Sequence, residues 1–166
     1  MDKNKVKFIT KSAIVAALYA AITFAFAGLS YGQIQFRISE ILVLLVFVDR
    51  KYFWGLVLGC IISNAASPLG IVDVFAGTLA TSIALAFIIF VREKLGDNNK
   101  ALIIASLGPV ISNAIIVGIE LTVLFKEMPF IINAAYVALG EFVVVTIAGV
   151  VVFAKMKNVI KKVASF

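Results

Sequence analysis

Residues 101–125 read ALIIASLGPVISNAIIVGIELTVLF, and this stretch decides the fold class. It carries one charge, Glu120, across 25 residues. Lipid offers backbone N–H and C=O groups no water to bond with, so an apolar run of this length closes its hydrogen bonds internally as a helix. About 20 residues suffice to cross a bilayer. Five further apolar runs surround it: Ser12–Leu29, Ile38–Val48, Tyr52–Ala66, Ile71–Val91 and Phe130–Ala154. Gly, Pro, Asn and charge clusters separate them. The second and third are short for a full crossing and are expected to tilt or to extend into their flanks. Lysines followed by an apolar stretch and Ala25-Phe26-Ala27 imitate a cleavable signal. The five runs that follow, and the helical pattern of the first run itself, favour a permanent span.

Six runs fill the chain of 166 residues, so the expected architecture is all-α and integral to the membrane, with residues 1–166 as one transmembrane domain. Composition agrees. Hydrophobic residues make up 63% and charged residues 14%, against roughly 45–50% and about 25% in soluble domains. Histidine is absent, which removes the commonest general base and metal ligand. Cys60 is the single cysteine; it forms no internal disulfide or thiolate cluster and reads as a buried thiol. No Gly-rich loop ends in Gly-Lys-Ser/Thr, so ATP-driven work would need another chain. Neither a nucleophile–base pair nor a metal cluster can be assembled, which speaks against an enzyme and against any cofactor held by this chain.

The net charge of +6 resolves when the residues are sorted by side. With six spans and a cytoplasmic N-terminus, thirteen of the fifteen basic residues lie inside and only Arg37 and Lys126 lie outside. Excess Lys and Arg mark cytoplasmic loops, so both termini are expected in the cytoplasm. Asp2, Asp49, Glu93 and Asp97 accompany the inner basic residues, while Glu40, Asp73, Glu120, Glu127 and Glu141 fall in the outer half. The inner side is then +9 and the outer half −3. The basic residues are short clusters between apolar runs, a membrane pattern and not a nucleic-acid one.

Charged groups inside a span cost about 2.5–3.5 kcal/mol each on insertion scales and usually mark a site or a buried pair. Gln35, Arg37, Glu40, Asn64, Asp73, Asn113, Glu120, Asn133 and Glu141 come from several spans yet share the outer half, as a pocket open to the outside requires. Each has a plainer reading. Asp73 suits a helix N-terminus, Arg37 and Glu40 suit a local ion pair, Asn64 can satisfy a helix end, and Asn113 and Asn133 can bind neighbouring helices. Glu127 beside Lys126 suits a solvated loop. Glu120 and Glu141 are hardest to explain that way. Carboxylates and amides suit a donor-rich or cationic ligand, such as a guanine-like base whose adjacent N–H groups one carboxylate accepts together. Tyr31 and Tyr136 can stack on such a ring or anchor at the membrane boundary; Tyr52, Phe53 and Trp54 read as boundary residues.

Ala13, Ala17, Ala21 and Ala25 recur every four residues, with Ala16 and Ala20 in an adjacent row. Small residues at this spacing let helices approach closely in lipid, within the chain or between subunits. These features, together with Tyr31-Gly32-Gln33-Ile34-Gln35-Phe36-Arg37-Ile38-Ser39-Glu40, resemble the QueT family over essentially the whole chain. Leu58-Gly59-Cys60 through Asn64, and Asp73 with Gly77-Thr78-Leu79-Ala80-Thr81, support the resemblance. It implies a substrate-binding S component of an energy-coupling factor (ECF) importer in the cell membrane. Such a subunit captures a queuosine precursor outside, a 7-deazaguanine such as queuine or its aminomethyl and cyano precursors. It then docks through the alanine face (Ala13, Ala16, Ala17, Ala20 and Ala21) on a membrane scaffold subunit and topples to release substrate inside. Two partner ATPases consume the ATP. An S component for another vitamin, of riboflavin or thiamin type, and a stand-alone proton-coupled carrier using Glu141 are the competing expectations.

Overall fold

The computed structural model describes residues 2–32 and 34–164. Gln33 of the motif quoted above lies outside the described residues, as do the side chains of Lys157 and Lys161. Helix α1 (Lys3–Ala25) starts where the Asp2 carboxylate accepts the Asn4 N–H at 3.1 Å, and a short helix α2 (Ala27–Ser30) follows it. The second apolar run begins as a 3₁₀-helix over Ile38–Leu44 and ends in one α-turn, α3 (Leu45–Val48). A 3₁₀ turn at Arg50–Tyr52 leads into α4 (Phe53–Ala65). Helix α5 (Ile71–Leu95) lies between Gly70 and Gly96, whose φ angles of 61° and 79° allow the chain to turn at both ends. Asn98 caps α6 (Asn99–Phe125) by accepting the Ala101 N–H at 2.9 Å. Helix α7 (Phe130–Glu141) passes through a π-helical stretch, Phe142–Gly149, into α8 (Val150–Ala164).

All six apolar runs are therefore helical, but four helices among the described residues have the length and hydropathy to cross a membrane. These are Lys3–Ala25, Ile71–Leu95, Asn99–Phe125 and the continuous Phe130–Met156, of 23, 25, 27 and 27 residues. The protein is an all-α membrane protein. Ile38–Val48 and Phe53–Ala65 reach only about 20 Å each at helical rises of about 2.0 and 1.5 Å per residue, short of the roughly 30 Å hydrocarbon core.

Large apolar side chains cover the outside of the bundle, with Phe75 73% and Ile131 77% exposed. In water such a surface would aggregate; lipid is its solvent. Helix α1 packs on α4, α4 on α5, α5 on α6 and α6 on α7. The short 3₁₀ segment Ile38–Leu44 closes the ring by touching both α1 and the π-helical stretch. One apolar core joins Tyr19, Leu44, Leu56, Leu85 and Ile88; a smaller one joins Ala80, Val117, Leu121 and Val137. Trp54 is exposed as a boundary residue should be, but Tyr52 is buried at 4% in the larger core, which overturns its boundary reading. At the same end of the bundle, Arg92 ties the second run down. Its Nε donates to the Phe47 carbonyl at 3.2 Å, and the guanidinium lies 5.4 Å from the Phe47 ring centroid.

Candidate functional site

A cavity of about 230 Å³ opens at the other end of the bundle, bounded by Tyr31, Gln35, Asp73, Leu121, Phe125 and Asn133 among others. Helix starts and ends build it: the loop before the 3₁₀ segment, the first turn of α5, the last turns of α6 and the first turn of α7. Three of the expected site residues, Gln35, Asp73 and Asn133, stand in the wall. Glu127 stays exposed, as a loop charge should, yet also contributes to the rim. Arg37, Glu40, Asn64, Asn113, Glu120 and Glu141 are buried behind or below the wall, each 7% exposed or less. Tyr136 is half-buried and outside the wall.

Gln35 sits in the left-handed region with φ of 51°, costly for any residue with a Cβ. The fold holds it there because Gly140 of α7 comes against the Ile34 and Gln35 carbonyls; a Cβ on Gly140 would stand 2.9 Å from the Gln35 oxygen and closer still to that of Ile34. Strain of this kind persists only where the surroundings over-determine it, and it clusters at functional sites.

Arg37 is the one buried cation here among the described residues. Its guanidinium lies 5.8 Å from the Tyr31 ring centroid, and its field reaches Glu40, Asp73, Glu120 and Glu141. No carboxylate comes within 4 Å of it among the described residues, so the local ion pair with Glu40 expected from their spacing does not form. Glu40 instead accepts the Tyr19 hydroxyl. Glu141 accepts the Asn113 amide at 3.0 Å. Each of these carboxylates keeps one oxygen without a partner, Asp73 likewise keeps Oδ1, and neither oxygen of Glu120 has one. Buried polar groups normally find partners, so this concentration of free acceptors is a property of the site.

Two asparagines serve the framework. Asn64 is fully buried and donates to the Asp73 carbonyl at 3.1 Å and to Cys60 Sγ at 3.3 Å, tying α4 to the start of α5. Asn133 donates to Thr122 Oγ1 at 2.9 Å and to the Met128 carbonyl at 3.3 Å, closing the α6–α7 turn. Cys60 is buried and within 3.2 Å of Thr81 Oγ1.

Sequence reasoning missed Tyr19 and the Thr23–Ser39 hydroxyl contact of 2.7 Å, which together dock the 3₁₀ segment on α1. Their signal was present: Ala16, Tyr19, Ala20 and Thr23 repeat at three- and four-residue spacing, one helix face. That face explains a correction. Ala16 and Ala20 are 2% and 6% exposed and lie against α4, where Gly59 approaches Tyr19 and the Ala16 carbonyl. They are therefore unavailable to a partner subunit. Ala13, Ala17, Ala21 and Ala25 are exposed along the adjacent row.

The bundle thus combines an exposed apolar girdle with a cavity at one end and buried carboxylates that keep acceptor oxygens unpaired, a polar site inside a membrane protein. Its sequence places it more closely, because the family model described as QueT transporter matches residues 9–158.

The chain belongs to the QueT transporter family.

It is thus a multi-pass transporter of the cell membrane and not an enzyme. A curated relative, the "Queuosine precursor transporter QueT" of Lactococcus lactis subsp. cremoris (strain MG1363), is 38% identical over 151 residues, covering 86% of this chain and 88% of the relative. No solved structure matches the chain.

Proposed function

We propose that this QueT family member is the substrate-binding S component of an ECF importer for a queuosine precursor. The observation that carries the reading is the cavity with buried carboxylates whose acceptor oxygens lack partners. A 7-deazaguanine is rich in N–H donors, and its aminomethyl form also carries a cationic arm, so it suits a site that offers carboxylate and amide acceptors together. Asp73 and Glu120 are the acceptors nearest the cavity, Gln35 and Asn133 offer amides, and Tyr31 offers a ring face. Glu40 and Glu141, with Arg37, Asn64 and Asn113, form the polar support beneath.

In this reading both short helical segments complete crossings, giving six, with the cavity outside and both termini in the cytoplasm. The lysine distribution supports that orientation. The exposed row Ala13, Ala17 and Ala21 forms the face that meets a membrane scaffold subunit, since small residues permit close helix approach in lipid. Partner ATPases drive the cycle; this chain carries no nucleotide loop and uses no cofactor of its own.

Isothermal titration of the purified protein against queuine, its aminomethyl and cyano precursors, riboflavin and thiamin tests the substrate. Binding confined to the deazaguanines is the expected result; binding of a vitamin instead, or of none of the five by folded protein, would refute it. Uptake by proteoliposomes of this chain alone under a proton gradient would favour a stand-alone carrier over an S component.

A further inference from the structure

Helices α5 and α6 pack on each other and carry two buried carboxylates that form no salt bridge among the described residues. Asp73 is 2% exposed, stands in the cavity wall and leaves Oδ1 without a partner. Glu120 is 6% exposed, leaves both oxygens without partners, and precedes the wall residue Leu121. The two interact electrostatically with each other, and among the described residues the one cation acting on Glu120 is Arg37, whose field is shared with Glu40, Asp73 and Glu141. The other buried acids differ, since Glu40 is engaged by Tyr19 and Glu141 by Asn113, while Glu127 on the rim is exposed to solvent. Buried acceptors of this kind cost free energy unless something donates to them. An ammonium carries three N–H donors and a full positive charge, enough to bond both carboxylates at once and offset their repulsion.

We propose that Asp73 and Glu120 form a paired-carboxylate subsite that holds a primary ammonium group of the ligand, so that the site selects aminomethyl-bearing deazaguanines over the neutral cyano form. This rests on the deazaguanine reading above and assigns its charged arm to named residues. The neutral bicyclic base then falls to the other wall residues, Tyr31, Gln35 and Asn133.

The test is titration calorimetry of wild type, Glu120→Gln and Asp73→Asn with the aminomethyl and the cyano base, together with each protein's melting temperature in detergent. Wild type should bind the aminomethyl base at least tenfold more tightly. Each variant should lose about tenfold or more for that base while holding the cyano base within threefold. Because Glu120 makes no bond within the fold, Glu120→Gln should melt no lower than wild type. Equal affinity of wild type for the two bases, or equal loss of both by the variants, overturns this inference alone; equal loss assigns the pair to the base itself or to a proton. A lowered melting temperature for Glu120→Gln makes the residue structural and overturns it too. Failure of folded wild type to bind either base, with queuine failing as well, overturns the functional reading along with it.

Discussion

Replacing Gly59 with alanine tests the contact on which the site is suspended. A Cβ at that position would stand 2.8 Å from Tyr19 Cβ and 3.1 Å from the Ala16 carbonyl oxygen. Carbon atoms pack best at roughly 3.5–4.0 Å, so α1 and α4 must separate by about 1 Å. The obstructing atoms are a backbone oxygen and a Cβ, and no rotamer change moves either away. Against this stands the helix propensity that alanine adds over glycine, about 1 kcal/mol. Overpacking costs typically about 1–3 kcal/mol; since neither obstructing atom can turn aside, the upper part of that range, about 2–3 kcal/mol, applies and leaves a net loss of about 1–2 kcal/mol. For a chain of this size that lowers the melting temperature by roughly 2–8 °C. The displacement also pulls the Tyr19 hydroxyl from Glu40, so affinity should fall with stability. Thermal unfolding in detergent, followed by ligand titration, measures both. Gly28→Ala is the control, since nothing lies within 4 Å of a Cβ there, and it should be no less stable than wild type. A Gly59→Ala protein that melts and binds like wild type would refute the close α1–α4 packing.

The two alanine rows should separate experimentally: Ala17→Trp abolishes co-purification with a transport module at unchanged melting temperature, whereas Ala16→Trp fails to fold stably. Ala17→Trp that still co-purifies would remove this face from docking. Tyr19→Phe leaves the buried Glu40 carboxylate without its donor and should cost about 1–3 kcal/mol, read as a lower melting temperature; no change would mean that the bond contributes nothing. Asn113→Ala does the same to Glu141 and should destabilise by a similar amount, a loss that Glu141→Gln in the same chain reduces. Gln35→Gly relieves a left-handed conformation worth about 1–2 kcal/mol at an entropic cost of about 0.5–1 kcal/mol. Its melting temperature should hold or rise while calorimetry shows weaker ligand binding, and a destabilised variant would contradict the strain at that position.

Much of the site was legible because polar residues inside apolar runs are costly and therefore informative. Gln35, Asp73 and Asn133 stand in the cavity wall, and Glu120 lies beside it. Asn64 could not be separated from a ligand-binding residue by sequence, since an amide that joins two helices and one that meets a substrate share the same residue type and depth. Arg37 and Glu40 are three residues apart in a pattern that promises a helical pair. The pair fails because Arg37 precedes the 3₁₀ segment in an extended conformation (φ −86°, ψ 92°), and Tyr19, twenty-one positions away, takes the carboxylate. Gln35 carries no sign in its neighbours of a positive φ; that conformation is imposed by Gly140, more than a hundred residues later.

Apolar run length and the absence of histidine, of a nucleotide loop and of paired cysteines belong to the sequence alone. They follow from backbone satisfaction in lipid and from the chemistry that side chains can or cannot perform. From them came helices, membrane residence and the need for any ATP-driven step to reside elsewhere. The choice between two equally small rows on α1 belongs to the tertiary structure. Periodicity marks both rows alike, and only the position of Gly59 decides that Ala16 and Ala20 turn inward while Ala13, Ala17 and Ala21 remain free. The free acceptors at Asp73 and Glu120 were settled the same way: a carboxylate's charge is written in the chain, but its lack of a partner depends on what every other helix brings to it.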